Sequence, residues 1–266
     1  MTRTRLAVLT ILLTPGALLA QEAPSVAVPR TDLPRWSLGI GGAVRNSEFA
    51  GEGTRTLAIP YFGFEGDRFY LRGATVGYRF VENPSFVVST FVAGRFDGLD
   101  ADDFGRAELA RRGIDRDLLS DRDDSADLGL AIVHRSAAGE LELDARGDVT
   151  DASGGYQLSL EYRHPFRIGE VAITPGVGAN WLSKDMANYY YGTLDEEVAR
   201  GVVDYKPGEA LVPYATLGVF VPLGPRWMLS ANAQYRALPD ELQDSPLVEE
   251  GTDSTSMVLV ALARRF

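Results

Sequence analysis

Residues 226–236 read Arg-Trp-Met-Leu-Ser-Ala-Asn-Ala-Gln-Tyr-Arg. Trp227, Leu229, Ala231, Ala233 and Tyr235 make one face, apolar with an aromatic at each end. Met228, Ser230, Asn232, Gln234 and Arg236 make the other, which is mostly polar. Side chains alternate sides along an extended strand, so a period of two puts each set on its own face. From Trp227 to Tyr235 such a strand runs roughly 26 Å at about 3.3 Å per residue. A tilt of about 40° shortens that to about 20 Å, close to the roughly 25 Å apolar band of an outer-membrane barrel, with the two rings where aromatic girdles lie. A soluble sandwich strand shows the same alternation, but rings at both ends are less expected of it.

The pattern recurs along the chain. Trp36, Leu38, Ile40, Gly42 and Val44 alternate with smaller or polar residues, as do Phe86 to Phe96, Tyr156 to Tyr162, Val171 to Trp181, Leu211 to Val221 and Val258 to Phe266. The plainest case is 139–148, where Leu141, Leu143, Ala145 and Gly147 oppose Glu140, Glu142, Asp144, Arg146 and Asp148. No helical period competes over a long window. Residues 35–266 are therefore expected to form one all-β domain, a transmembrane antiparallel up-and-down barrel.

Connection lengths orient it. Short connections fall near Glu65-Gly66, 82–84, 137–139, 167–169 and Gly224-Pro225; long ones cover 97–124, 185–209 and 238–252. Barrels of this kind keep short turns in the periplasm and longer loops outside. Both ends of the barrel are then periplasmic, which requires an even strand count. The alternation slips between Leu71 and Val76, around Arg72-Gly73-Ala74. A tight external turn there gives twelve strands, the expected count; a bulge gives ten.

Arg3 and Arg5 precede the apolar stretch Leu6 to Leu13, which resumes as Ala17-Leu18-Leu19-Ala20 after Thr14-Pro15-Gly16. That pattern predicts an export signal over 1–20, cleaved after Ala20, followed by a polar, Pro-rich periplasmic segment over 21–34. The apolar run is too short to span a bilayer as a helix, and no later run reaches about eighteen apolar residues. With 28 Gly, 12 Phe, 11 Tyr and 3 Trp the composition suits β structure, and with no Cys the chain has no disulfide or thiolate metal site. Mean hydropathy is near zero, as expected where lumen-facing residues offset lipid-facing ones. The formal charge of −11 argues against nucleic-acid binding, which needs clustered Lys and Arg. The expected location is the outer membrane, with its lipid as a partner.

Candidate chemistry is sparse. His134 and His164 lie beside short turns, and an imidazole without a positioned nucleophile is not a site. No nucleophile elbow, zinc-protease motif or phosphate-cradling Gly loop occurs. The reading is of no catalytic, cofactor or metal residues. Loop 97–127 carries eleven acids against five arginines. Asp121, Asp123, Asp124 and Asp127 have the chemistry to hold a divalent cation, but the loop lacks an EF-hand's Gly and terminal Glu. It reads as a solvated external loop with a short helix over Ala107–Arg112, stopped by Gly113. Tyr189–Tyr191 would stack on a sugar, sit in a girdle or pack within a loop. If lipid takes the apolar faces, Glu140, Glu142, Asp144, Arg146, Asp148, Glu161 and Arg163 line the lumen, either as a small polar channel or as a plug of paired side chains.

Phe266, on the face of Leu262, Val260 and Val258, resembles the terminal signal read by barrel-assembly machinery; Arg264 departs from it. Four stretches resemble the MltA-interacting protein (MipA/OmpV) family of outer-membrane proteins. They are 60–80 (Pro-Tyr-Phe-Gly-Phe-Glu-Gly-Asp-Arg-Phe-Tyr through Gly77-Tyr78-Arg79-Phe80), the acidic loop from Arg95 to Leu130, Tyr189-Tyr190-Tyr191-Gly192, and Leu238 to Val248. Their order and spacing carry the likeness. The resemblance implies an outer-membrane barrel whose relatives are associated with scaffolding a murein transglycosylase and a peptidoglycan synthase, and others with adhesion or antibiotic uptake. A scaffold, a solute pore and, least, a barrel enzyme are the classes it leaves.

Overall fold

The computed structural model describes residues 35–266. The expected export signal, and all but the last residue of the stretch up to Arg35, lie outside the described residues. Thirteen strand segments form one antiparallel sheet: β1 (Trp36–Asn46), β2 (Thr54–Glu65), β3 (Phe69–Arg72), β4 (Thr75–Glu82), β5 (Phe86–Arg95), β6 (Ser125–Ser136), β7 (Gly139–Asp148), β8 (Tyr156–Arg163), β9 (Phe166–Ile168), β10 (Val171–Leu182), β11 (Ala210–Leu223), β12 (Trp227–Ala237) and β13 (Ser254–Arg265). β8 and β9 both pair with β10, one on each side of Pro165, and are two pieces of one wall strand. β1 pairs with β13 from Ser37↔Arg265 to Arg45↔Met257 and closes the ring, giving a barrel of 12 strands.

Leu71 and Val76 explain the slip in alternation. They face each other across the β3–β4 hairpin, whose tip is Gly73 (φ 55) and Ala74. A two-residue hairpin turn needs a left-handed residue, which Gly supplies without strain. The hairpin is short, and only Gly63–Glu65 of β2 pair with β3. The Phe62 carbonyl accepts from Gly73 N–H at 2.9 Å, so the even-numbered backbone groups of β2 face this side. Pro60 is the next of them, beyond the hairpin tip. A residue with no N–H is suited to an edge position where no ladder bond forms.

Faces follow the alternation. Ile40, Phe62, Leu128, Leu130, Leu143, Val177, Leu217 and Val258 are exposed on the outside, whereas Ala43, Ile59, Ala131, Asp144 and Gln234 are buried inside. An apolar exterior around a mixed interior is the requirement for a strand-built membrane span. Inside, Phe91 lies opposite Gly129, and a Cβ on that glycine would stand 2.2 Å from the Phe91 ring. The absent side chain lets the ring fill the lumen.

Short turns and Phe266 share one end of the barrel, the periplasmic end; the long loops share the other. Rings gather at the periplasmic rim: Trp36 on Phe64 at 4.7 Å, Phe69 on Tyr78 at 4.9 Å and Phe86 on His134 at 4.6 Å. Arg264 belongs here too. Its guanidinium lies 4.9 Å from the Phe266 ring centroid and 5.9 Å from that of Trp227. A cation over interfacial rings keeps its charge while covering apolar surface, which accounts for an arginine on the outward face of the last strand.

Candidate functional site

The long loops do not spread into solvent. They fold together over the external mouth. Loop 96–124 buries Leu99, Phe104, Leu109, Ile114 and Leu119, spaced five residues apart through its charged sequence. α1 (Arg106–Arg111) carries Leu109 inward and ends before Gly113, whose φ is 76. In the loop after β10, α2 (Lys184–Tyr191) starts at Ser183, whose hydroxyl accepts from Met186 N–H at 3.4 Å, and it buries Met186, Ala187, Tyr190 and Tyr191. α3 (Asp195–Ala199) follows, and α4 (Asp240–Gln243) brings Leu242 in from the loop after β12. Phe49, from the loop between β1 and β2, stacks on Tyr191 at 5.5 Å and meets Phe104 edge-on at 5.8 Å. These contacts run across the mouth. Each fully buried Leu, Phe or Met contributes ~1.5–3 kcal/mol, which offsets the entropy lost in ordering the loops.

Two buried polar networks tie this cap together. Arg122 engages Glu197 with both arms, at 2.6 and 3.0 Å, and donates to the carbonyls of Tyr189, Ser120 and Gly192. Glu197 accepts in addition from Ser120 N–H at 2.8 Å and Leu194 N–H at 2.7 Å. In the second network Glu48 accepts from Arg45 at 3.0 Å and from the Tyr191 hydroxyl at 2.8 Å. Burial acts to raise the Glu48 pKa, but the charges of Arg45 and Arg236 and the Tyr191 bond outweigh it and hold the carboxyl at about 2. Burial pushes the Tyr191 hydroxyl well above its ordinary value.

Beneath the cap lies a chamber of ≈ 180 Å³. Its walls alternate in charge. Arg95 holds Asp127 at 2.6 Å and Asp97 at 3.1 Å, Arg146 holds Asp144 at 2.7 Å, and Arg163 binds Glu142 and lies 3.5 Å from Glu161. Arg135 takes Glu140 at 3.1 Å, and Arg146 also covers the Phe91 ring at 5.1 Å. Ion pairs within one strand or between neighbouring strands, together with inward-facing rings, thus line the lumen wall.

Most expected positions are confirmed. Glu140, Glu142, Asp144, Arg146, Glu161 and Arg163 face inward as read from the alternation. Asp148 does not join them: its carboxylate accepts from Thr150, Ser153 and Gly154 N–H and organises the loop after β7. The acidic loop is not the solvated segment expected, because its apolar residues form part of the cap core. Its four candidate cation ligands also part company. Asp121 accepts from Ala101 N–H, Asp124 from Gly98 N–H, and Asp127 pairs with Arg95, while Asp123 donates its N–H to the Tyr189 hydroxyl. Among the described residues no three His, Cys, Asp or Glu come together in metal-binding fashion. His134 lies tilted against the Phe86 ring and His164 Nδ1 lies 2.9 Å from the Ala138 carbonyl, both at the periplasmic rim. Tyr189–Tyr191 pack within the loops. Sequence reasoning missed Glu48, Glu197 and the cap core; the five-residue spacing from Leu99 to Leu119 was the available signal.

The family model described as MltA-interacting protein MipA matches residues 38–266. The chain belongs to this family. It is 32% identical to YiaT of Escherichia coli (strain K12) over 82% of this chain and 87% of that one. It is 28% identical to the MltA-interacting protein of the same organism, over 87% and 90% of the two chains. Outer membrane protein OmpV of Vibrio cholerae is 23% identical over 81% of each. The MipA-family chain is thus an outer-membrane barrel, as its apolar exterior requires. Of the four stretches that resembled the family, three lie wholly or largely in the cap: the acidic loop, Tyr189–Gly192 and Leu238–Val248.

Proposed function

We propose that this MipA-family barrel is a non-catalytic anchor that holds murein-remodelling enzymes, a transglycosylase foremost, at the periplasmic side of the outer membrane. The observation that carries this reading is the cap. A mouth covered by packed loops, above a lumen lined by ion pairs and rings, suits a body that stands in the membrane better than one that passes solute freely. The E. coli relative named MltA-interacting protein supports the choice of partner class. The docking elements on this reading are the short periplasmic turns and the strand ends beside them, where Arg68, Arg167 and Arg226 are exposed, together with the Pro-rich stretch before Arg35. Pro-rich segments stay extended and dock at low ordering cost.

The test is capture of a purified murein transglycosylase by the detergent-solubilised barrel. Deleting Glu22–Asp32 is expected to leave a heat-modifiable barrel that captures the enzyme more weakly. Equal capture would remove that segment from the reading. No capture by the full chain of any murein enzyme, together with solute passage in liposomes, would replace the anchor by a pore.

A further inference from the structure

Arg236 stands on the inner face of β12, level with Tyr214 of β11 and Thr255 of β13, and lines the chamber under the cap. Among the described residues its guanidinium makes no ion pair or hydrogen bond, and its Nε is buried without a partner. The carboxylates that act on it from nearby are Glu48 and Asp97. Both are engaged elsewhere, Glu48 by Arg45 and the Tyr191 hydroxyl, Asp97 by Arg95. The other arginines lining the chamber, Arg45, Arg95, Arg146 and Arg163, each hold a carboxylate. Arg236 is the exception. A half-buried guanidinium with no bonded partner leaves its N–H donors open to an acceptor placed in the chamber.

A second group with unmet hydrogen-bonding capacity lies in the chamber wall. Asp127 pairs with Arg95 through Oδ2, while its Oδ1 is buried with no hydrogen-bond partner. The chamber wall therefore carries a guanidinium without a bonded partner and, elsewhere, a buried carboxylate oxygen whose second acceptor site is unfilled. At roughly 10–15 Å³ for each water position, the space admits a molecule the size of an amino acid.

We infer that the chamber is a binding site for a small zwitterion of amino-acid type, with its carboxylate on Arg236 and its ammonium group toward Asp127. Arg guanidinium groups bind carboxylates through two parallel N–H bonds, stronger than neutral hydrogen bonds. The assignment holds whether the barrel anchors a partner or passes solutes, because it depends only on these two groups and the chamber they line.

Isothermal titration of the purified full chain in detergent tests it with three probes: serine, serinamide, which lacks the carboxylate, and N-acetylserine, which lacks the ammonium group. Serine is expected to bind saturably. Serinamide and N-acetylserine are each expected to bind at least about tenfold more weakly, the scale of a lost charged hydrogen bond. Arg236→Gln is expected to weaken serine by a similar factor, and Arg106→Gln, on the exposed outside of the cap, to leave it unchanged. If Arg236→Gln does not yield a heat-modifiable barrel, the three probes on the native chain still decide. Absence of saturable serine binding, equal affinity for serine and serinamide, or native affinity in a folded Arg236→Gln variant would each overturn the site.

Discussion

Arg122 and Glu197 meet in a two-armed ion pair whose side chains are 1% and 0% exposed. The arginine comes from the end of the loop after β5, the glutamate from α3 in the loop after β10. Residues 75 positions apart thus lock two separate loops over the barrel mouth. Buried ion pairs stabilise only when all their remaining hydrogen-bonding capacity is met. Here backbone carbonyls and N–H groups meet it on both sides.

Truncating one partner leaves the other charge buried. Arg122→Ala is expected to cost the cap about 3–5 kcal/mol. Replacing both residues by apolar ones should not restore it fully, because Arg122 also serves three backbone carbonyls. Hydrogen exchange read by mass spectrometry should show faster exchange across 99–122 and 184–199, with strand amides unchanged. Unchanged protection in the loops would mean the pair does not hold the cap.

The cap should also respond to acid through Glu48. Its pKa falls from 4.5 to about 2 on folding, so its contribution is complete above pH 4.5 and is lost as pH falls toward 2. At 1.36 kcal/mol per unit that is roughly 3 kcal/mol. Loop protection is expected to decline over that window in the native chain. Glu48→Gln is expected to flatten the decline and to lower protection at neutral pH. An acid response equal in the two proteins would assign it to other groups.

Facing can be tested on the strand that decided the fold. Ala231→Arg puts a charge on the lipid side near the midplane and should cost about 2–4 kcal/mol of barrel stability. Asn232→Arg, one residue on and inward, should cost much less. Urea unfolding in lipid bilayers measures both, and equal losses would contradict the assignment of faces.

The wall was legible in the sequence because the bilayer imposes period two on nearly every strand, as at 139–148 and 226–236. The hairpin at Leu71 and Val76 was legible only as an interruption, since a four-residue strand is too short to establish a period of its own. The cap was not legible. Its core residues come from four loops, and their spacing matches neither helix nor strand, so Leu99 to Leu119 read as isolated apolar residues in an acidic run. Arg236 was visible as an inward residue, but its lack of a counter-ion depends on which acids Arg45 and Arg95 claim, a matter of packing between strands distant in sequence.

If the barrel is the anchor proposed above, its capped mouth passes no ions. Planar-bilayer recording of the native chain in concentrated potassium chloride tests it most directly. A silent membrane is expected after insertion, with insertion confirmed by heat-modifiable protein recovered from the bilayer lipid. Uniform, long-lived conductance steps from the native chain would contradict it.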